Sequence, residues 1–297
     1  MALFDRELLK RLHYLSLVAR QAGGSSLLAA RRKKLPAGGT EVTGLRDYAP
    51  GDDYRYIDWI GCAGHDELLT KKFEGDTDLH AYVLLDCSAS MGQGNPSKFR
   101  LARQIAAALG YVTLLNMDRL GVVGFSGRIV AELSPMCGKP RIPRVLRFLQ
   151  QLPLADTPTD LTRTVQGFVR RYQRHGIAVV ISDLYDREGF ARAFDLLRHR
   201  GYEPRLVHVY EPREADPGLL GDAELVDVET GAGDRVTITE RAARRYRQLF
   251  EQFRSSVRQY CAKHAMACMQ IASDTPEDEV LLKVLSGREK RVAYSQQ

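Results

Sequence analysis

The segment His80–Gly94, HAYVLLDCSASMGQG, decides the fold class of the chain. Its first part, Tyr82-Val83-Leu84-Leu85, is an unbroken apolar run, the pattern of a strand buried on both faces of a parallel sheet. The run ends at Asp86, and Ser88 and Ser90 follow at alternating positions. The pattern predicts that these three side chains lie at the carboxyl end of a central strand, where open α/β sheets bind ligands.

Strand-like and helical segments alternate along the rest of the chain. Apolar residues recur at helical spacing over 3–22, 96–117, 142–152, 161–173, 187–200 and 240–264, and a last helix begins at Thr275-Pro276. Strands are predicted at 68–75, 120–125, 129–133, 177–181, 205–210, 224–229, 235–239 and 267–272. We expect a doubly wound, mostly parallel α/β sheet with a β-hairpin edge. An N-terminal extension, 1–77, would pack on a core domain, 78–290.

Composition places the chain among ordinary globular proteins. Its 297 residues are 44% hydrophobic and 27% charged, with a formal net charge of +6. Five cysteines without a C-x-x-C pair argue against a zinc site or a disulfide framework. The N-terminus lacks the pattern of a signal peptide, and no run reaches the ~20 apolar residues of a membrane span. We expect a cytoplasmic protein without a membrane span.

The polar residues after the central strand have the chemistry of a metal site. Hydroxyl and carboxylate oxygens suit Mg²⁺ or Mn²⁺ rather than zinc or copper. Two further polar loops, 156–160 and 182–183, are predicted on the same edge of the sheet, and a threonine hydroxyl from the first would complete an octahedral oxygen site. A D-x-S-x-S pattern alone is equally compatible with a polar turn.

A charged segment precedes the central strand. It runs from Arg46 to Trp59, contains the turn signal Pro50-Gly51-Asp52, and holds several Asp and Arg residues that could form charge-assisted pairs. No nucleophile or base accompanies them. The segment is therefore interpreted as a structural clamp against the sheet.

The three loops resemble the metal-ion-dependent adhesion site of von Willebrand factor A-like domains. That resemblance assigns Asp86, Ser88, Ser90, Thr159 and Asp183 to a divalent cation, Mg²⁺ or Mn²⁺, held weakly without a partner's carboxylate. Ser88 and Ser90 would ligate directly, whereas Asp86 and Asp183 would act mostly through waters and orient the hydroxyls. Thr157 is the alternative to Thr159, because the loop contains T-P-T-D where a Gly-rich loop is common.

The upstream segment makes the resemblance more specific. Arg46-x-Tyr48-x-Pro50-Gly51-Asp52-Asp53-x-Arg55-x-Ile57-Asp58-Trp59, followed by Lys72-Phe73-Glu74, resembles the bacterial domain-of-unknown-function-58 family, as does Glu211-Pro212-Arg213-Glu214 downstream. The resemblance covers residues 40 to 290. It departs from the family after the Trp, where Cys62-Ala63-Gly64 replaces a small residue, Ala and Arg.

This resemblance implies a binding protein rather than an enzyme. Its partners would be a protein that supplies an Asp or Glu to the metal and a MoxR-type AAA+ ATPase, with which relatives are thought to act in complex remodelling or maturation. Two alternatives remain: a metal-dependent phosphohydrolase using Asp86, and nucleic-acid binding through Arg31–Lys34 and the basic helix 240–264. The first lacks a second carboxylate beside Asp86. The second lacks a nucleic-acid motif, and nucleic acid is not expected as a partner.

Overall fold

The computed structural model describes residues 42–48, 54–62, 68–73, 79–155, 157–186, 188–226 and 233–286, together with Arg11 and Tyr14. Its strands are β1 Val42–Asp47, β2 Leu69–Phe73, β3 His80–Asp86, β4 Arg119–Phe125, β5 Ile129–Met136, β6 Ile177–Ser182, β7 Glu203–Tyr210, β8 Gly221–Val226, β9 Gly233–Ile238 and β10 Cys268–Ala272. Its helices are α1 Trp59–Cys62, α2 Lys98–Leu115, α3 Ile142–Gln151, α4 Leu161–Arg171, α5 Ala191–His199, α6 Pro212–Ala215, α7 Glu240–Lys263 and α8 Glu277–Ser286.

A six-stranded sheet in the order β10-β7-β6-β3-β4-β5 forms the centre of the molecule. Strand β3 pairs in parallel with β4 on one side and with β6 on the other. Only β5 runs antiparallel, as the edge strand of a hairpin with β4. The predicted α/β class with a mostly parallel sheet and a hairpin edge is confirmed. The carboxyl ends of β3, β6 and β7 share one edge of the sheet.

Helices cover both faces of this sheet because its central strands are apolar on both sides. Val83 and Leu85 of β3 belong to the core cluster formed with α2, α3 and α8. Tyr82 and Leu84 point to the opposite face and pack with α4, α5 and α7. Burial of apolar surface on two sides is what fixes β3 in the middle of the sheet.

Helix α2 begins later than the sequence predicts. The sequence predicts a helix from residue 96, but Ser97 is the cap: its side chain accepts a hydrogen bond from Arg100 N at 3.3 Å. The hydroxyl of Ser97 satisfies an amide that has no partner within the helix. As a result Lys98 becomes the first helical residue, and it is buried.

Two small antiparallel sheets lie outside the central one. Strand β2 falls within the expected strand at 68–75, but it pairs with β1 in a two-stranded sheet instead of joining the central sheet. The predicted second hairpin is present as β8 and β9, although β8 begins at Gly221, earlier than predicted. Strands β8 and β9 are near neighbours in the chain, as antiparallel pairing permits, whereas β1 and β2 are separated by residues 48–68.

Several sequence predictions concern residues outside the described part. Most of the predicted helix 3–22, the basic run Arg31–Lys34 and the turn Pro50-Gly51-Asp52 fall there, as does the boundary between 77 and 78, which stays a prediction. Among the described residues, no helix is long and apolar enough to cross a membrane.

Candidate metal centre

Asp86, the last residue of β3, is fully buried and accepts hydrogen bonds from two directions. Its Oδ1 accepts from Ser88 N at 3.0 Å, and its Oδ2 accepts from Ser182 Oγ at 2.6 Å. Ser182 ends the neighbouring parallel strand β6, so the pairing of β3 with β6 brings the two side chains together. The Asp86 carboxylate is therefore held in one orientation.

The hydroxyls of Ser88 and Ser90 lie 3.0 Å apart, on the loop that follows β3. Ser88 is buried and precedes the short 3-10 turn Ala89–Gly92, which carries the half-buried Ser90. Ser88 has an extended backbone at the N-cap of this turn, and the change from extended to turn conformation brings its hydroxyl next to that of Ser90. The D-x-S-x-S pattern thus presents two hydroxyl oxygens next to a buried carboxylate.

Two backbone hydrogen bonds attach the loop containing Thr159 to this motif. Ala155 N donates to Cys87 O at 2.7 Å, and Asp160 N donates to Ser126 O at 3.2 Å. Thr159 is buried, and its hydroxyl lies 3.5 and 3.4 Å from the two oxygens of Asp86. The predicted loop 156–160 therefore reaches the same carboxylate as the loop that follows β3.

Thr157, the alternative threonine, has a different partner. Its hydroxyl lies 2.6 Å from the hydroxyl of Ser126, at the turn between β4 and β5. Thr159 is thus the threonine that the fold places beside Asp86, and Thr157 connects its loop to the β4–β5 hairpin.

Asp183 follows β6 and is also fully buried, but a cation of the chain already contacts it. Its Oδ2 accepts a hydrogen bond from Lys98 Nζ at 2.7 Å, and its Oδ1 accepts from Tyr185 N at 3.2 Å. Lys98 Nζ also contacts Glu214 Oε1. Of the five predicted ligands, Asp86, Ser88, Ser90 and Thr159 form one cluster, and Asp183 joins it with a lysine bound.

The electrostatics of the cluster are dominated by its burial. Burial, and then the charge of Asp183, raise the pKa of Asp86 to about 7. Burial alone would lower the pKa of Lys98, but its two carboxylate neighbours outweigh burial and raise it, so Lys98 stays protonated. Burial lowers the pKa of the nearby His208 to about 4, which makes that imidazole neutral at physiological pH.

The chain matches a known protein family over most of its length. The family described as "Protein of unknown function DUF58" matches residues 44–259. The chain belongs to this family. Relatives of this DUF58 protein include proteins described as uncharacterized from Mycobacterium bovis and from Mycobacterium tuberculosis. Each is 28% identical over 231 residues, which is 76% of this chain and 73% of the relative.

Solved structures similar to this DUF58 chain share little sequence with it. The conserved hypothetical protein BatB from Bacteroides thetaiotaomicron is 15% identical with a TM-score of 0.43, covering 70% of this chain and 98% of its own. An aerotolerance-related membrane protein from Bacteroides fragilis is 14% identical with a TM-score of 0.44, covering 71% of this chain and 100% of its own.

The side chains of the DUF58 site fit a small divalent cation. The cluster offers oxygen atoms only: two serine hydroxyls, one threonine hydroxyl and the carboxylates behind them. Oxygen donors are what Mg²⁺ and Mn²⁺ prefer, and Mg²⁺ commonly retains waters that carboxylates then orient. Buried carboxylates that repel each other also favour a cation between them.

Three residues that belong to the site were not predicted as members of it. Ser182 precedes Asp183 and donates to Asp86. Lys98 of α2 pairs with Asp183, and Glu214 of α6 pairs with Lys98. Ser182 belongs to the predicted polar loop 182–183, but only Asp183 of that loop is predicted as a ligand. Glu214 lies in the Glu211-Pro212-Arg213-Glu214 sequence that carries part of the family resemblance, and that resemblance is the sequence feature that could have identified Glu214. Lys98 had none, because it lies in an ordinary helical pattern.

The raised pKa of Asp86 makes the metal-free protein sensitive to pH. Because the folded-state pKa of about 7 lies above the ordinary value of 3.8 for this carboxyl group, the contribution of Asp86 to stability is present below 3.8, falls as the pH rises between these two values and is lost above 7. Between pH 5 and pH 8, wild type should lose on the order of 2 kcal/mol relative to Asp86→Asn. Urea unfolding of both proteins in EDTA measures this difference. A difference that does not change with pH would contradict the prediction.

Proposed function

We propose that this DUF58 protein is a divalent-cation-dependent, protein-binding adaptor with a von Willebrand factor A-like domain, and that it acts in the cytoplasm with a MoxR-type AAA+ ATPase. The observation that carries the proposal is the pair of hydroxyls of Ser88 and Ser90, 3.0 Å apart beside the buried Asp86 and Thr159. The role of the ATPase rests on the family resemblance. Remodelling or maturation of a protein complex is the process that the resemblance implies.

Each proposed ligand has a role that follows from its position. Ser88 and Ser90 would hold the cation directly through their hydroxyls, and Thr159 would do so directly or through water. Asp86 and Asp183, whose oxygens already accept hydrogen bonds, would orient the hydroxyls and waters around it. When bound, the cation supplies a coordination position that a partner's Asp or Glu can fill.

The environment of Asp86 favours binding over phosphoryl transfer. A nucleophilic aspartate needs a free oxygen that can reach the substrate, but Asp86 is fully buried and both its oxygens accept hydrogen bonds. The phosphohydrolase alternative is therefore weaker than the adaptor proposal. A phosphatase activity that is present in wild type and absent in Asp86→Asn would support the phosphohydrolase alternative instead.

The ion pairs of α7 similarly favour a solvated basic face over a nucleic-acid site. Arg244 pairs with Glu240 at 3.1 Å, and Arg254 and Arg258 both pair with Glu251. Carboxylates interleaved with the arginines would repel a phosphate backbone, which binds to uncompensated cations.

Calorimetric titration of chelator-treated protein with Mg²⁺ and Mn²⁺ tests the proposal. Wild type should bind one ion per chain, and Ser88→Ala/Ser90→Ala should lose the binding because two ligands are removed. Ser256→Ala, which changes an exposed serine of α7, should bind like wild type. Absence of saturable binding by wild type, or equal affinity in the double variant, would contradict the proposal.

The two threonines provide a finer test of the same site. Thr159→Ala should weaken Mn²⁺ binding by about tenfold or more, since outer contacts to a metal typically contribute 10–100-fold. Thr157→Ala should change the affinity by less than about threefold, because its hydroxyl bonds to Ser126. Calorimetry of the two variants side by side gives the ratio. A larger effect of Thr157→Ala than of Thr159→Ala would identify Thr157 as the threonine ligand.

Capture of the ATPase by the immobilised protein tests the partnership separately. Retention should require Mg²⁺, disappear with EDTA and be absent in Ser88→Ala/Ser90→Ala. If neither EDTA nor Ser88→Ala/Ser90→Ala reduces retention, the ATPase binds elsewhere on the chain.

A further inference from the structure

Lys98 is a fully buried lysine with two carboxylate partners. Its ammonium lies 2.7 Å from Asp183 Oδ2, contacts Glu214, and lies 5.0 Å from the centre of the Tyr185 ring. An ammonium group is withdrawn from water only at a high free-energy cost unless opposite charges surround it. The fold thus maintains a permanent positive charge directly beside a proposed cation site.

The position of Glu214 is fixed as firmly as that of Lys98. Glu214 ends the first turn of the short helix α6, where its Oε2 accepts from Glu211 N at 2.8 Å in a capping box. Its other oxygen faces Lys98. Glu214 is therefore oriented by its own helix and does not depend on Lys98 for its position.

The net charge of the side chains around the site balances the charge of a divalent ion. Asp86, Asp183 and Glu214 provide three carboxylates, and Lys98 provides one ammonium, which leaves two negative charges when all are ionised. The neighbouring His208 is neutral and does not alter this balance. Without Lys98 the site would hold an excess of negative charge even with the cation bound, and that excess would repel a partner's carboxylate.

We propose that the two charges of the Lys98–Glu214 pair act on the cation site in opposite senses: the Lys98 ammonium weakens binding of the metal, and the Glu214 carboxylate offsets it, so that the loaded site stays neutral and can accept an acidic side chain. The inference rests on the cation site proposed above. Lys98 and Glu214 act as tuning residues and are not ligands. Because the two residues carry opposite charges, their removal should change the metal affinity in opposite directions.

Glu214→Gln is the principal variant that tests this inference. Gln keeps the size of the side chain and an oxygen that can accept from Lys98, while one negative charge disappears. We expect Mn²⁺ to bind at least about tenfold more weakly than to wild type. In Lys98→Met the affinity for Mn²⁺ should instead increase, and in Lys98→Met/Glu214→Gln it should return to within about threefold of wild type.

Calorimetry with Mn²⁺ alone, at constant ionic strength, measures all four proteins. A purely structural role would weaken binding in every variant, so the opposite signs distinguish charge from folding. If Lys98→Met does not fold, Glu214→Gln and the double variant still decide the matter, since the double variant must bind more tightly than Glu214→Gln. Equal binding by these two overturns the inference and leaves the cation site standing. Absence of binding by wild type overturns both.

Discussion

Replacing Lys98 with Met is expected to lower the free energy of unfolding by about 3 to 5 kcal/mol, because it removes one partner of a buried ion pair. Lys98 and Asp183 are both inaccessible to solvent, with Glu214 as the second carboxylate. Met fills a similar volume, so the loss reflects carboxylates left in a dry environment without a cation. The loss should shrink at pH 5, because burial raises the pKa of Glu214 and protonation of that carboxyl group removes part of the uncompensated charge.

Urea unfolding followed by far-ultraviolet circular dichroism in EDTA measures the effect. Lys263→Met, at the exposed end of α7, serves as the matched control and should change the free energy of unfolding by less than about 0.5 kcal/mol. Saturating Mg²⁺ should recover part of the loss in Lys98→Met, since bound ligand stabilises the folded state. A loss similar to that of the control would mean that water reaches the Lys98 site.

Replacing Gly176 with Ala should lower the free energy of unfolding by about 3 kcal/mol. Gly176 immediately precedes β6, where β6 pairs with β3. A Cβ atom there would overlap the carbonyl oxygen of His80 and lie 2.8 Å from its carbonyl carbon. The obstacle is backbone at the start of β3, which a rotamer change cannot relieve.

Gly167→Ala is a control of the same chemical change with the opposite expected sign. Gly167 lies within α4, and the nearest atom to an added Cβ is Cδ1 of Ile129 at 3.7 Å, an ordinary contact. Alanine should stabilise that helix by roughly 0.5 to 1 kcal/mol. Thermal and urea unfolding of both variants give the comparison. Similar stabilities of the two variants would show that β6 can shift away from β3 without loss.

The sequence predicts the fold class and most of the candidate site, because both depend on local patterns. The apolar run before Asp86 predicts a doubly buried strand, and the polar residues after it lie at the carboxyl edge for that reason. The same logic applies to Asp183 after β6. Parallel pairing of two such strands then brings their ends together without any long-range information in the sequence.

The contacts of Lys98 and the pairing of β2 could not be predicted in this way. Lys98 and Glu214 are 116 residues apart, and Lys98 is not distinguished by its neighbours in the chain. A charged residue at the start of a helix ordinarily faces solvent. Strand β2 has the alternating pattern of an edge strand, but that pattern does not specify which sheet it joins.

The pairing of β3 with β6 has a consequence for the rate and affinity of the partner binding proposed above. Asp86 and Ser182 are positioned by a ladder of backbone hydrogen bonds, and Thr159 is attached through Cys87 and Ser126. A site that is ordered by the fold itself is preorganised, so the binding of a partner does not have to offset the entropic cost of ordering the site. Association should therefore be rapid once the cation is present, and differences among partners should appear in their dissociation rates.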